Sequence, residues 1–381
     1  MNKIGVYAGS FNPFHKGHLS IVRRASLLFD KVIIYVSQNA TKTGVGCKAS
    51  IERCILPDNV EVDFLPNRIY LVSYVESQFP DDRIYLIRGI RNGHDADYEI
   101  EMKHINSQIS DSIETVIFPP MLEYSSMSSS TIRNLIGYDR WENVVNEYLP
   151  RQIFNGVLKN EIENDSRNPF YIRWRKLMEK FEGPDFEIHF NLVDILSKYS
   201  DKKRYYHGLI HLSHSFSAFD KHLSEIEGSD ALELAIFYHD YYNDGDDPER
   251  RSADVMRKHL AGKYPGEILD NAHTIIMATA SHFTRAIFDY TPAQKWMMDI
   301  DLVDLASDWE DFEGINDMKR GEIWREYKAH HPDVDAPDEV YREKRKEYLG
   351  ILLSYPKIYQ SEQFECYESK ARSNINRWVN E

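Results

Sequence analysis

Gly9-Ser10-Phe11-Asn12-Pro13-Phe14-His15-Lys16-Gly17-His18 stands between a short apolar run, Ile4 to Ala8, and a segment with apolar residues at helical spacing, Leu19 to Phe29. The run reads as a buried strand and the segment as a helix, so the order is strand, small-residue turn, helix. His18 falls at the helix start, where free N–H groups and the positive dipole end favour an anion. Gly9 and Gly17 let the main chain approach a ligand closely. A loop of this kind can hold a nucleoside triphosphate and keep two imidazoles, His15 and His18, near its phosphates.

Outward from this loop the pattern repeats. Lys31 to Ser37, Val60 to Phe64, Arg83 to Ile87 and Glu114 to Phe118 read as four further strands, with helical stretches such as Tyr98 to Gln108 between them. Strands alternating with helices predict a Rossmann-like α/β fold, a parallel sheet covered on both faces. Ligands in such sheets sit at the carboxyl ends of the strands. Ser10 to His18, Lys42, Arg88 to Arg91 and Ser125 to Arg133 all follow strands. Leu149-Pro150 marks a break, and the polar stretch from Lys159 to Pro169 reads as a linker. Beyond about residue 170 strand patterns vanish and helical periodicity dominates. The expected division is 1–160 as an α/β domain and 168–381 as an all-α domain.

Length and charge bound the functions. The 381 residues suit two domains, each able to bury a core. A formal net charge of −15 argues against nucleic acid or an anionic membrane as partner. Cys47, Cys54 and Cys366 fit neither a disulfide framework nor a zinc knuckle, which points to a reducing cytoplasm. The first residues read as a strand rather than a leader, so no signal peptide is expected. No apolar run approaches the length of a membrane span.

Arg88-Gly89-Ile90-Arg91 brings two guanidiniums that can clamp phosphate. Ser128-Ser129-Ser130-Thr131-Ile132-Arg133 reads as a serine-rich cap opening a helix, whose hydroxyls and N–H groups suit a phosphate. Lys42, in a glycine-containing loop, can neutralise another. His15-Lys16-Gly17-His18 and the Ser128 to Arg133 run match the H-x-G-H and S-S-S-x-x-R marks of the nucleotidylyltransferase superfamily, which the segment from Gly5 to about Leu158 resembles. Arg24 to Asp30, Lys42, Arg88 to Asn92 and Asp97 to Glu99 stand in the order found in phosphopantetheine adenylyltransferases. The resemblance implies transfer of AMP from ATP, accompanied by Mg²⁺, onto a phosphate monoester, with release of pyrophosphate. It implies His18, Lys42 and Arg88 as catalytic residues. Gly9, Ser10, Phe11, His15, His18, Gly89, Arg91, Glu99, Ser128, Ser129 and Ser130 would bind the nucleotide, and Ser10, Lys42 and Arg88 the acceptor. His15 is more typical of the pyridine-nucleotide and cytidylyl branches, so the acceptor stays open between 4′-phosphopantetheine and nicotinamide mononucleotide. Relatives commonly assemble as homo-oligomers, and a homo-oligomer is expected.

The second half carries another constellation. His211 lies in the helix-like run Tyr206 to Phe219, Leu234 to Tyr238 leads an apolar helix into His239-Asp240, and Met297 to Leu302 sets Asp299 and Asp301 in apolar surroundings. An acid there is costly unless paired or metal-bound. Two imidazoles and two carboxylates, His211, His239, Asp240 and Asp301, make a site for a divalent transition metal such as Mn, Fe, Co, Ni or Zn. His214, His222 and His259 read as ordinary surface or core groups. The set resembles the HD phosphohydrolase superfamily, with its H…HD…D order, over about 170–375. The resemblance implies a metal-bound water attacking a phosphate ester or anhydride. Arg204, His207 and His282 would act on substrate phosphate or in proton transfer, and Glu249 as a base or support. The expectation is a bifunctional enzyme that takes ATP and small phosphorylated substrates. The other reading keeps the transferase and makes the helical domain a non-catalytic, metal-stabilised sensor or assembly module.

Overall fold

The computed structural model describes residues 1–37, 48–66, 69–91, 93–164, 166–180, 185–226, 228–280, 290–317, 321–332 and 338–381, without the side chains of 49, 94 and 185–189. The chain divides into two compact units, Met1–Glu163 and Asn164–Glu381.

Five strands build the sheet of the first unit: β1 (Lys3–Gly9), β2 (Lys31–Ser37), β3 (Val60–Leu65), β4 (Arg83–Gly89) and β5 (Glu114–Phe118). All pairs are parallel, in the order β3-β2-β1-β4-β5. The central strands are apolar almost throughout because both faces are covered; Val32 to Val36 are all buried. The edge strand β3 alternates and exposes Phe64. Ile4, Val6, Ile33, Tyr35, Ile84 and Leu86 form one core face with Val72 and Val75 of the helix Leu71–Gln78. Burying each such side chain stabilises the unit by ~1.5–3 kcal/mol. The chain order reverses between β1 and β4, so the crevice for a ligand opens above their carboxyl ends.

Two helices point their N-termini at that crevice. The first, α1 (Lys16–Ser26), follows β1. It begins a turn earlier than its apolar periodicity predicts, because His15 caps it and the His18 N–H donates to the His15 carbonyl at 2.8 Å. Lys16 and Gly17 carry no apolar signal, so this turn is silent in the pattern. Later in the unit, α2 (Ser129–Leu135) is capped by Ser128, whose hydroxyl accepts the Thr131 N–H at 3.1 Å. Ser128→Ala is expected to lower unfolding stability by ~1 kcal/mol, measured by denaturant titration; no change would deny the cap its role.

The second unit is helical throughout its described residues. The helices that carry its polar cluster are α3 (Asp185–Tyr199), α4 (Leu209–His222), α5 (Ser229–Tyr238), α6 (Pro248–Leu260), α7 (Pro292–Asp301) and α8 (Glu322–His330). Trp174, Phe216 and Phe237 form its aromatic centre, with Phe237 4.8 Å from Trp174 and 4.6 Å from Phe216 by ring centroids. The Tyr206 to Phe219 run is only partly helical: α4 starts at Leu209, leaving Tyr206 and His207 in the turn before it. No helix among the described residues is long and apolar enough to cross a membrane. Among the described cysteines, Cys54 is buried, Cys366 is exposed, and both are free thiols.

Candidate functional site

A cavity of about 270 Å³ opens at the carboxyl ends of β1 and β4. His15, His18, Gly89, Arg91, Ser128, Ser129 and Ser130 line it, as does Gly17. Tyr7, Tyr124 and Arg133 line it too. The loop and α2 are tied across the top of the cavity. Ser129 Oγ donates to the Pro13 carbonyl at 2.9 Å, and Arg133 Nη1 donates to the Asn12 carbonyl. Gly17 sits in tight space: a Cβ there would stand 3.0 Å from the His15 ring and 3.3 Å from Tyr124 Cβ.

The histidines are prepared as neutral donors. The His15 N–H donates to His18 Nδ1 at 3.2 Å. Neutral His18 therefore carries its proton on Nε2, the nitrogen left for a phosphate oxygen. Burial, then His15, then Arg91 hold His18 well below the usual histidine range. Burial and Arg91 lower His15 to about 4. Their rings stack with centroids 3.6 Å apart, a packing that two imidazoliums would resist. Arg91 is aimed by Asp95, which accepts from Nε at 2.9 Å and Nη2 at 3.3 Å, and by the Met127 carbonyl at 3.3 Å from Nη1. Two guanidiniums, an imidazole N–H and two helix N-termini at one cavity make an anion site. An NMR titration of the ring carbons should show His15 moving with a midpoint of about 4 and His18 with a midpoint well below the usual histidine range. A midpoint near 6.5 for either would contradict the neutral pair.

Other expected residues are not among those that line the cavity. Phe11 does not line the cavity; it is 4% exposed and packs on Tyr7, Phe14 and His18, with a left-handed φ of 42° held by that packing. Gly9 and Ser10 are outside the lining as well. Arg88 and Glu99, expected on the acceptor and nucleotide sides respectively, are one ion pair, with Nε 2.9 Å from Oε2. Arg88 also donates to the Ala8 carbonyl at 3.1 Å, which joins β4 to β1. Burial raises the Glu99 carboxyl against the pull of Arg88. Lys42 lies outside the described residues.

In the second unit, His211, His239, Asp240 and Asp301 converge, each offering one atom within 4.8 Å of the others. His211 comes from α4, His239-Asp240 from the turn closing α5, and Asp301 from the last residue of α7. His211 Nε2 is 3.2 Å from His239 Nε2, 3.0 Å from Asp301 Oδ1 and 3.5 Å from Asp240 Oδ2. His239 Nε2 is 3.2 Å from Asp240 Oδ2 and 3.6 Å from Asp301 Oδ1. Ligands ~2.0–2.2 Å from a shared ion lie ~3–3.5 Å from one another, so the spacings fit a divalent metal. His239 Nδ1 donates to the Ile236 carbonyl at 2.9 Å, which leaves the Nε2 lone pair for an ion. Asp240 Oδ2 is buried with no hydrogen-bond partner. The electrostatics favour positive charge: burial opposes it, yet Asp301 and Asp304 raise His211 to about 9, and Asp240 raises His239 well above its usual value. The residues present fit the ion.

The surroundings sort the remaining expectations. Arg204 is 8% exposed, and its guanidinium donates to the Asp240 carbonyl at 2.5 Å and the Tyr241 carbonyl at 2.8 Å. It braces the turn that carries Asp240. Asp299 accepts the Gln360 and Ser361 N–H groups at 2.7 Å and stands apart from the quartet. Glu249 sits in the first turn of α6, with no hydrogen bond or ion pair to the quartet among the described residues. His282 lies outside the described residues. His214, read as ordinary, is 2.5 Å through Nδ1 from Asp304 Oδ1, whose other oxygen is 3.9 Å from His211 Nδ1. Asp304 and Glu326, which holds His207 at 2.5 Å, carry no spacing signal that would have marked them.

Comparison with known proteins bears on the first unit. A family described as cytidylyltransferase-like matches residues 6–135. Phosphopantetheine adenylyltransferase of Chromobacterium violaceum is 37% identical over 163 residues, 41% of this chain and 96% of the relative. The protein of the same name from Neisseria meningitidis serogroup C is 33% identical over 158 residues, 40% of this chain and 91% of the relative. Among solved structures, Plasmodium falciparum nicotinic acid mononucleotide adenylyltransferase complexed with NaAD covers 42% of this chain and 97% of its own, at 12% identity and a TM-score of 0.33. Because nearly the full length of the two named relatives is matched, the chain, through its first unit, belongs to the cytidylyltransferase-like nucleotidyltransferases of the phosphopantetheine adenylyltransferase type.

Proposed function

We propose that the first unit moves AMP from ATP to the phosphate of 4′-phosphopantetheine and releases pyrophosphate. The supporting observation is the convergence of the His18 imidazole, Arg91, Arg133 and two helix N-termini on one cavity. The acceptor phosphate attacks the α-phosphorus in line, and no covalent intermediate on the protein is required. His18 donates Nε2–H to an α-phosphate oxygen as negative charge grows there. Arg91 and the Ser128–Ser130 cap hold the departing pyrophosphate. His15, neutral and stacked on His18, fixes the orientation of its neighbour. Lys42 completes the acceptor side in this reading, and Mg²⁺ arrives with ATP and offsets triphosphate charge.

The second unit, in the same reading, is a phosphohydrolase for a nucleotide or other small phosphate ester. His211, His239, Asp240 and Asp301 would hold a divalent transition ion, which when bound supplies Lewis acidity toward water and a phosphate oxygen. The protein's own residues position the ion and close its apolar side.

Pyrophosphate release from ATP, followed with 4′-phosphopantetheine and separately with nicotinamide mononucleotide, tests the transferase. Release with the first and not the second is expected; the reverse would move the chain to the pyridine-nucleotide acceptor. Phosphate release from nucleotides and from 4-nitrophenyl phosphate by the Mn²⁺-loaded chain tests the hydrolase. Bound metal without turnover would make the second unit a sensing or assembly module.

A further inference from the structure

Glu326 stands on α8, far in sequence from the quartet, and is 5% exposed. Its carboxylate accepts four hydrogen bonds. Oε2 takes the N–H groups of Tyr206 at 2.7 Å and His207 at 3.1 Å. Oε1 takes His207 Nδ1 at 2.5 Å and Asn243 Nδ2 at 2.8 Å. Four donors are about the capacity of one carboxylate, so Glu326 is ionised and acts only as an acceptor. His207 precedes the helix that carries His211, and Asn243 follows the His239-Asp240 pair. One acid therefore joins the two segments that bring three of the four converging donors together.

A structural tie would need only the backbone bonds. The bond to His207 Nδ1 does more, because it places that ring's proton and its tilt. The ring lies 5.8 Å from the His211 ring, edge to face. His207 is 35% exposed at its side chain, whereas His211 and His239 are sealed at 0% and 1%. It is thus an oriented imidazole beside the quartet that solvent can reach. With Nδ1 committed to Glu326, Nε2 is the nitrogen left for a substrate.

We infer that Glu326 is the positioning residue that sets His207 as proton donor to the leaving oxygen in phosphate-ester hydrolysis. The inference rests on the hydrolase reading above. In the step, water oxygen bonds to phosphorus as the phosphorus–oxygen bond to the leaving group breaks. His207 Nε2 passes its proton to the leaving oxygen. One proton of the attacking water goes to solvent, and His207 recovers a proton from solvent, so the sum is water added across the ester.

The test compares two monoesters, phenyl phosphate and 4-nitrophenyl phosphate, with the Mn²⁺-loaded full chain at equal metal content. Phenolate needs protonation as it leaves; 4-nitrophenolate needs it far less. Glu326→Gln should lower kcat for phenyl phosphate by ~10²-fold and for 4-nitrophenyl phosphate by less than ~10-fold. His207→Ala should give the same selective loss, and the double variant no further loss, because the pair acts as a unit. Equal losses on both esters, or additive losses, would overturn the inference while leaving the hydrolase intact. Should Glu326→Gln fail to fold, the half-exposed His207 decides alone: His207→Ala without leaving-group selectivity overturns it. If the wild type hydrolyses neither ester, the hydrolase reading falls and this inference with it.

Discussion

His18→Ala is expected to lower kcat for AMP transfer by ~10²–10³-fold, the usual loss when one preorganised donor to a developing oxyanion is removed. The imidazole is held on three sides by Phe11, Phe14 and His15, so its Nε2–H has one direction to offer. A water filling the alanine variant would have to be reoriented as charge moves, and that cost appears in the barrier. KM for ATP should change much less, because Arg91 and the α2 cap still hold the phosphates. The folded state should survive, since only one hydrogen bond, from the His15 N–H, is lost. Steady-state kinetics at saturating ATP and acceptor measure the effect. An unchanged kcat would remove His18 from the chemistry.

Asp240→Ala is expected to have the second large effect. The variant should lose its stoichiometric divalent metal, and hydrolysis should fall on the order of 10²-fold or more, beyond the loss typical of disturbing an outer partner of a ligand. Asp240 Oδ2 is the buried oxygen without a hydrogen-bond partner, and it stands 3.2 and 3.5 Å from two imidazole nitrogens. Removing it leaves two imidazoles and Asp301 to bind the ion. Metal analysis of the dialysed variant beside the wild type gives the first readout, and phosphate release the second. AMP transfer by the same preparation serves as the control for folding of the first unit. Full metal content in Asp240→Ala would refute the quartet as the metal site.

The sheet was largely legible because its signal is local. Each strand is a short β-branched or aromatic run bounded by turn residues, and the three inner ones, β1, β2 and β4, are buried on both faces. The cavity was legible in outline for the same reason: His15, His18, Gly89, Arg91 and Ser128 to Ser130 all follow strand ends. The pairing of Arg88 with Glu99 was not, because residue type alone does not show which neighbour a charge meets. The packing of the Phe11 ring on Tyr7 was not legible either, since a loop aromatic carries no periodic signal. In the second unit the four metal-type residues stood out by their apolar flanks. Glu326 and Asp304 did not, for they lie in ordinary amphipathic helix and turn, and only the folded chain brings them to His207 and His214. The bonds of Arg204 to the Asp240 and Tyr241 carbonyls were not legible either, because they depend on where the turn after His239 ends.

Phosphorus NMR of the wild-type chain with Mg²⁺, ATP and 4′-phosphopantetheine tests the central claim in one tube. The account predicts loss of the acceptor's monoester resonance, with equal growth of inorganic pyrophosphate and of a new pair of mutually coupled phosphoanhydride signals. An acceptor resonance that persists while ATP is consumed, or ATP that stays whole, would contradict it.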